Sequence, residues 1–454
     1  MKTGTNTETD TELDTTLNPE PTQVSPSPRA PGAALPPARL LAGASGQAPI
    51  SLSSHRTSFR QPPSAGIDPR YSIIEMVGES GLLGRGGAAF PTARKLKAVA
   101  GGPGPRIVVA NGTEGEPPSA KDQTIMANNP HLVIDGALLA AAAVGATQVL
   151  IGVDRAHRRA LETMRAALAE RTESESPGID VRLAGTPSRY VAGEETGLVQ
   201  WMNGGPAMPT SVPPRPFEKG VSGRPTLVQN VETLAHIALI ANRGPAWFRE
   251  LGTQEEPGTR LVTVSGAVRH PGVVEAPVGT TIATLVEAAG GATSELSALM
   301  VGGFYGTWLP AAHIDTPYSR AGLAPLGASP GAGVVVALPA STCGLAETAR
   351  VVSWYAGESA GQCGPCVFGL ADLADLFSCV AAARANRDDL ETVRRWAGDI
   401  EGRGACKHPD GAVRLVRSAL AVFEDELARH MSSGLCRGDG NSVLRVPAPA
   451  KTWR

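Results

Sequence analysis

Charge of one sign is missing from this chain of 454 residues: 41 basic side chains face 43 acidic ones, a net charge of -2. That balance leaves no electrostatic footprint for nucleic acid or an anionic membrane. Cysteine is scarce, with six in the whole chain. So few thiols exclude a secreted disulfide framework and fit a reduced, cytoplasmic compartment with metal or redox use. Long hydrophobic runs are absent too. The longest apolar stretch, Leu132 to Ile151, contains Asp135, Gln148 and two glycines, which a bilayer centre would penalise. No membrane-spanning segment is therefore expected. Nor does the chain open on a basic region followed by an apolar one, as a secretory signal would. Aromatics amount to only 4%, against 53 glycines and 38 prolines, a mix that implies many loops and at least one disordered segment. The length suits about three domains of roughly 150 residues each.

What is present falls into blocks. Residues 1–38 are Thr/Glu-rich and then Pro/Ser-rich, the composition of a disordered arm. Over 39–257 the pattern alternates: a strand at Arg106–Ala110, a helix at Pro130–Val144, a strand at Gln148–Val153, a charged amphipathic helix from Arg155 to about Arg171 and a strand at Ile179–Leu183. Such alternation predicts a parallel, Rossmann-like α/β sheet. The block 258–340 opens with β-branched residues bracketing His270-Pro-Gly272, a hairpin, followed by one short helix over Ile282–Ala289. The block 341–436 is helical by period. Val413, Val416, Leu420, Phe423 and Leu427 share one face of a helix starting at Pro409-Asp410. The last residues, 437–454, read as a flexible tail.

Three polar loops could carry chemistry. The run Gly81-Leu-Leu-Gly-Arg-Gly-Gly-Ala-Ala-Phe-Pro-Thr92 offers unobstructed backbone amides to a phosphate, with Arg85 or Lys95 as counter-charge, or else is a surface loop built for tight turns. Asn111-Gly-Thr-Glu-Gly-Glu-Pro117 follows the first strand directly. It thus lies at a carboxyl end, where open α/β sheets bind ligands. Its Glu114 and Glu116 could accept hydrogen bonds from a ligand or stand solvated. Tyr190 to Thr196 and Pro225 to Thr233 read as plain polar loops by themselves. Cys363-Gly-Pro-Cys366 at a helix start, with Cys406 further on, suits an iron-sulfur cluster, zinc, a redox dithiol or buried thiols. Cys379, beside Leu376 and Val380, reads as core.

Taken in order, these motifs resemble one family, the NADH-binding flavoprotein (F) subunit of respiratory complex I and its relatives in soluble hydrogenases and formate dehydrogenases. The resemblance runs from about Leu82 to Phe423. It implies an α/β Rossmann-like FMN domain, a small β-grasp (SLBB-like) α+β domain and a C-terminal helical iron-sulfur bundle. By the same resemblance Gly84, Arg85, Gly86, Gly87, Ala88, Lys95, Asn111, Glu114, Tyr190, Gly193, Glu194, Glu195, Asn230 and Thr233 hold FMN. Glu116 and Phe90 then face the hydride donor, NADH or NADPH. Electrons then pass, by the same resemblance, from NAD(P)H through FMN to a [4Fe-4S] or [3Fe-4S] cluster and on to an acceptor such as quinone-reducing subunits, a thioredoxin-fold [2Fe-2S] subunit or a ferredoxin.

Two departures from the family pattern stand out. Its cluster loop reads E-S-C-G-x-C-x-P-C, and here Ala360 occupies the first ligand position, leaving Cys363, Cys366 and Cys406. Cys343, Cys436 and His408 are candidates for the fourth ligand. Cys436 is preferred because it follows the helix that starts just after Cys406. On the nicotinamide side Thr113 replaces an acidic residue, and Val212-Pro-Pro-Arg215 replaces a K-P-P-F segment. Arg215 could then accept a 2′-phosphate. The alternatives are a stand-alone ferredoxin:NAD(P) reductase and a non-catalytic scaffold that has lost the cluster.

Overall fold

The computed structural model describes residues 34–44, 46, 48–59, 69–171, 178–436, 438, 440–449 and 452–454. Most of the Thr/Pro-rich arm, up to residue 33, lies outside the described residues. Just after it, the Glu275 carboxylate accepts the backbone N–H groups of Arg39, Leu40 and Leu41 at 2.9, 2.8 and 3.0 Å.

Strands β1 (Arg106–Gly112), β2 (Ala146–Asp154), β3 (Asp180–Thr186) and β4 (Thr226–Asn230) form a parallel sheet in the order β3-β2-β1-β4. Residues Ile107 to Ala110 are all buried, because helices cover both faces of such a sheet. The helix Pro130–Val144 starts on its proline and stops at Gly145, whose φ of 68° only glycine adopts freely. It lies against the helix Val231–Arg243 so closely that a Cβ at Gly136 would overlap the Leu234 carbonyl. The segment read as a polar loop at Pro225–Thr233 is instead β4 and the start of that helix. Its pairing to β1 is a long-range event that local pattern does not report.

The second sheet has five strands, β5 (Thr259–Gly266), β6 (Gly272–Pro277), β7 (Leu296–Val301), β8 (Thr307–Pro310) and β9 (Val334–Pro339), ordered β6-β5-β9-β7-β8. The β5–β6 hairpin and the helix Ile282–Ala288 follow the sequence reading. The other three strands enlarge the expected hairpin-plus-helix module. The C-terminal unit packs the helices Gly344–Gly357, Leu370–Ala381, Arg387–Ile400, His408–Val422 and Glu424–Ser433 around Tyr355, Leu373, Phe377, Val393 and Val416. The expected single helix through Leu427 breaks at Phe423 (φ -104°, ψ 35°). There the Phe423 ring stands edge-on to Trp308, 5.3 Å between centroids, a contact with β8 that outweighs helical continuity.

Candidate functional site

The order β3-β2-β1-β4 means that successive strands leave β1 in both directions. The sheet therefore switches between β1 and β4, the place where open α/β sheets take ligands. Asn111, next to last in β1, pairs in register with Asn230, which ends β4. Both amides are fixed: Asn111 Nδ2 donates to Gly193 O at 2.9 Å and its Oδ1 accepts from Thr113 N at 3.1 Å. Asn230 caps the helix Val231–Arg243 through Glu232 N at 3.1 Å and donates to Asp122 Oδ2 at 2.8 Å.

Around this crevice stand the glycine loop and the Tyr190 turn. Gly84 to Ala88 form an outward bulge closed by the Gly84 N to Phe90 O bond at 2.9 Å. Gly86, Gly87 and Ala88 are exposed. A Cβ at Gly86 would sit 3.3 Å from Asn230 Cβ, so the loop rests directly on the switch point. Arg85 points the other way. It is buried, donates to Pro257 O at 3.0 Å, and its backbone N–H donates to Thr233 Oγ1 at 2.8 Å. Burial, with Arg260 close by, lowers its guanidinium pKa to about 10. Arg85 and the fully buried Thr233 thus anchor the loop, leaving Lys95, paired to Glu195 at 3.0 Å, as the nearest accessible cation of the expected set.

Backbone approaches are close throughout: a Cβ at Gly193 would lie 2.6 Å from Thr113 O, and one at Gly115 2.5 Å from Tyr190 O. Glycine is required at both. Phe90 is 48% exposed beside Arg94.

Two of the acidic residues expected to hold FMN, and Glu116, expected to face the hydride donor, are engaged within the protein. Glu114 accepts from Ser119 Oγ, Asp122 N and Gln123 N, capping the helix Lys121–Asn128. Glu194 caps the helix Glu195–Met202 through Thr196 N and Gly197 N at 2.9 and 3.1 Å. Glu116 faces the β-grasp unit, accepting from Phe304 N at 2.6 Å and from Tyr190 Oη at 3.3 Å. Burial pushes its carboxyl up to about 7 against the pull of those donors. The Tyr190 hydroxyl also meets Tyr355 Oη at 3.1 Å. Glu116, Tyr190 and Tyr355 therefore join all three units at one point.

Sequence reasoning missed a buried charge network beneath the site. Lys121 Nζ lies 2.6 Å from Asp122 Oδ1 and 2.9 Å from Glu232 Oε2. Burial opposes its charge, but the flanking carboxylates outweigh burial and hold the ammonium protonated above its usual range. The signal was available: three charged residues stand in segments that otherwise bury apolar neighbours.

Below the Tyr190 turn a cavity of about 260 Å³ is lined by Cys363, Cys366 and Cys406 together with Ala360, His408, Val191 and Gln200. Its two sides are linked, since Glu358 Oε2 accepts from Tyr190 N at 2.9 Å and lies 3.3 Å from Arg189 Nε. Donation from His408 Nε2 to Tyr355 O at 2.9 Å leaves Nδ1 buried and without a hydrogen-bond partner among the described residues. Cys436 does not line this cavity. It lies with Cys343 and His430 instead, because the break at Phe423 turns the following helix onto Leu370–Ala381. Cys379 is half-buried, on that helix.

The chain matches the Nuo51 FMN-binding domain over residues 77–239, the SLBB domain over 261–303 and the NADH-ubiquinone oxidoreductase-F iron-sulfur binding region over 346–430. The F 2 subunit of the NADH-quinone oxidoreductase of Rhizobium meliloti (strain 1021) is 34% identical over 377 residues, 80% of this chain and 90% of that one. The chain belongs to the family of NADH-quinone oxidoreductase F subunits. The F subunit of Streptomyces coelicolor is 33% identical over 394 residues, covering 84% of this chain and 86% of the relative. The fold is also that of a chain of NAD+-reducing [NiFe]-hydrogenase, with a TM-score of 0.76 and 32% identity, covering 81% of this chain and 63% of that one.

The positions at which the sequence departs from the family pattern near Thr113 and Arg215 have a structural account. Thr113 Oγ1 shares a hydrogen bond with Thr186 Oγ1 at 2.9 Å, so a neutral pair stands where the family pattern has a carboxylate. Arg215 is exposed, 3.9 Å from Glu195. Phe217, two residues beyond Arg215, is partly buried against the main core. Among the described residues no helix is long and apolar enough to cross a membrane.

Proposed function

We propose that this chain is a flavoprotein oxidoreductase that takes electrons from NADH or NADPH and passes them through FMN to an iron-sulfur cluster and then to a partner. The partner is a thioredoxin-fold [2Fe-2S] subunit or a ferredoxin. The observation that carries the reading is adjacency. Tyr190 and Gly193 of the crevice turn and Val191 of the three-thiol cavity belong to one four-residue 3₁₀ turn. When bound, FMN supplies the conversion of a two-electron donor into one-electron steps.

The chain's own residues position and insulate. Gly86, Gly87 and Ala88, in the loop that Gly84 closes, present backbone amides for a phosphate with Lys95 near, and Asn111, Asn230 and the Tyr190–Glu195 turn border the ring site. Arg85, Thr233, Glu114 and Glu194 hold those loops in place. Three thiols and one unpartnered imidazole nitrogen around one cavity match the donor count of a cluster, with His408 standing in for the cysteine that Ala360 replaces. Glu116 and Phe90 border the donor's approach, and Arg215, exposed at its rim, favours a 2′-phosphate.

Anaerobic titration of iron-reconstituted protein with NADH and then NADPH, followed at the flavin band, tests the reading. Bleaching by either supports it and names the donor. A band that persists until dithionite is added overturns the nicotinamide step. A flavin-free protein overturns the whole proposal in favour of a scaffold.

A further inference from the structure

Cys343, His430 and Cys436 take no part in the crevice or the three-thiol cavity, yet their ligand atoms all lie within 4.8 Å of one another. Cys343 is the N-cap of the helix Gly344–Gly357, its Sγ accepting from Ala346 N at 3.3 Å. His430 sits near the end of the helix Glu424–Ser433. Its Nδ1 donates to Val380 O at 3.3 Å, so the lone pair is on Nε2, 3.9 Å from Cys343 Sγ. A backbone carbonyl that fixes the histidine tautomer in this way is the usual support behind a metal-ligating imidazole. Glu426, one turn earlier on the same helix, accepts from the N–H groups of Gly344 and Leu345 at 3.4 Å and so holds the helix start that carries Cys343.

Zn–S bonds of about 2.3 Å and Zn–N bonds of about 2.0 Å at a tetrahedral centre hold their ligand atoms about 3.5–3.8 Å apart. The 3.9 Å between Cys343 Sγ and His430 Nε2 is close to that spacing. Two thiols and an imidazole select a borderline-soft cation over magnesium or calcium. Two of the three donors are buried and Cys436 is exposed, which leaves a way in from solvent.

We propose that Cys343, His430 and Cys436, with a solvent molecule as the fourth donor, form a zinc site that fastens the start of the C-terminal tail to the helical unit. The course of the chain beyond Cys436 gives the site its purpose. Val443 N and Leu444 N donate to Glu347 at 3.2 and 2.8 Å, and Leu444 O accepts from Arg350 at 3.1 Å. Pro449 then packs at Gly357. Finally Trp453 O accepts from Ala207 N at 2.8 Å, while the Arg189 guanidinium lies 3.8 Å over the Trp453 ring. Arg189 directly precedes Tyr190. The tail thus runs the length of the helix Gly344–Gly357 and ends against the residues that join the crevice to the three-thiol cavity.

The test is zinc and iron analysis of the full-length holoprotein after equimolar zinc and a brief wash with chelator, for the wild type, Cys436→Ser and Cys363→Ser. The expected result is about one zinc per chain in the wild type, zinc at least about ten-fold lower in Cys436→Ser with iron unchanged, and full zinc in Cys363→Ser. Because Cys436 is exposed, its variant folds. Limited proteolysis supplies the second readout: cleavage beyond residue 436 is faster in Cys436→Ser and in zinc-stripped wild type. Zinc equal in wild type and Cys436→Ser overturns the site, as does zinc lost from Cys363→Ser instead. A Cys343–Cys436 disulfide in anaerobically purified protein overturns it as well.

Discussion

Glu116→Gln tests whether the carboxyl at the junction of the three units titrates near neutrality. Burial raises its pKa from the usual 4.5 to about 7, although Phe304 N, Tyr305 N and the Tyr190 hydroxyl favour the ionised form. Between those two values the folded protein keeps a proton that the unfolded chain has released. Stability therefore falls as pH rises through about 4.5 to 7 and levels off above, once both states are ionised. At about 1.36 kcal/mol per pH unit, that span amounts to roughly 3 kcal/mol. Glutamine keeps an oxygen to accept from Phe304 N and cannot ionise, so the variant lacks this loss. Urea midpoints of wild type and variant, measured in parallel at pH 5, 6, 7 and 8, should show the variant gaining on the wild type by an amount of that order. A difference that is constant from pH 5 to 8, or that moves in the wild type's favour, would refute the reasoning.

Gly193→Ala forces a methyl to within 2.6 Å of Thr113 O, backbone against backbone. The displacement should weaken FMN binding about ten-fold or more, at an overpacking cost of about 1–3 kcal/mol, read by quenching of flavin fluorescence. Removing the buried ammonium in Lys121→Met leaves Asp122 and Glu232 unpaired and should destabilise the fold by about 3–5 kcal/mol, visible as a lower thermal midpoint. His408→Ala should reduce bound iron and convert the paramagnetic signature of the reduced protein to that of a three-iron cluster. An unchanged spectrum would remove His408 from the ligand set.

Much of the architecture was legible because the relevant forces are local. Pro130 and Gly145 bracket a helix that local chemistry starts and stops, and the apolar runs of β1 and β2 announce buried parallel strands. Motif order carried the family and its cofactors. Where the competing force was distant, the reading went astray. Phe423 ends a helix because Trp308, more than a hundred positions earlier in the chain, receives its ring. Cys436 follows that turn away from the thiols it was expected to join. Glu114 and Glu194 carry the residue type of ligands, yet both serve as helix caps, a role set by which amides lie within reach.

By itself, then, the sequence determined the block order, the family, an alanine at position 360 where the family pattern has a cysteine, and the supply of thiols near the C-terminus. Those features reside in residue identity and spacing, which no packing alters. Only the tertiary structure decided that Asn111 and Asn230 flank the sheet's switch point, that Glu116 is buried at the junction of the three units, and that six cysteines divide into a three-thiol cavity, a Cys343–Cys436 pair with His430, and a lone Cys379. Each depends on which side chains meet across strand pairings and helix contacts far apart in the chain, and on burial, which exists only once the chain has folded.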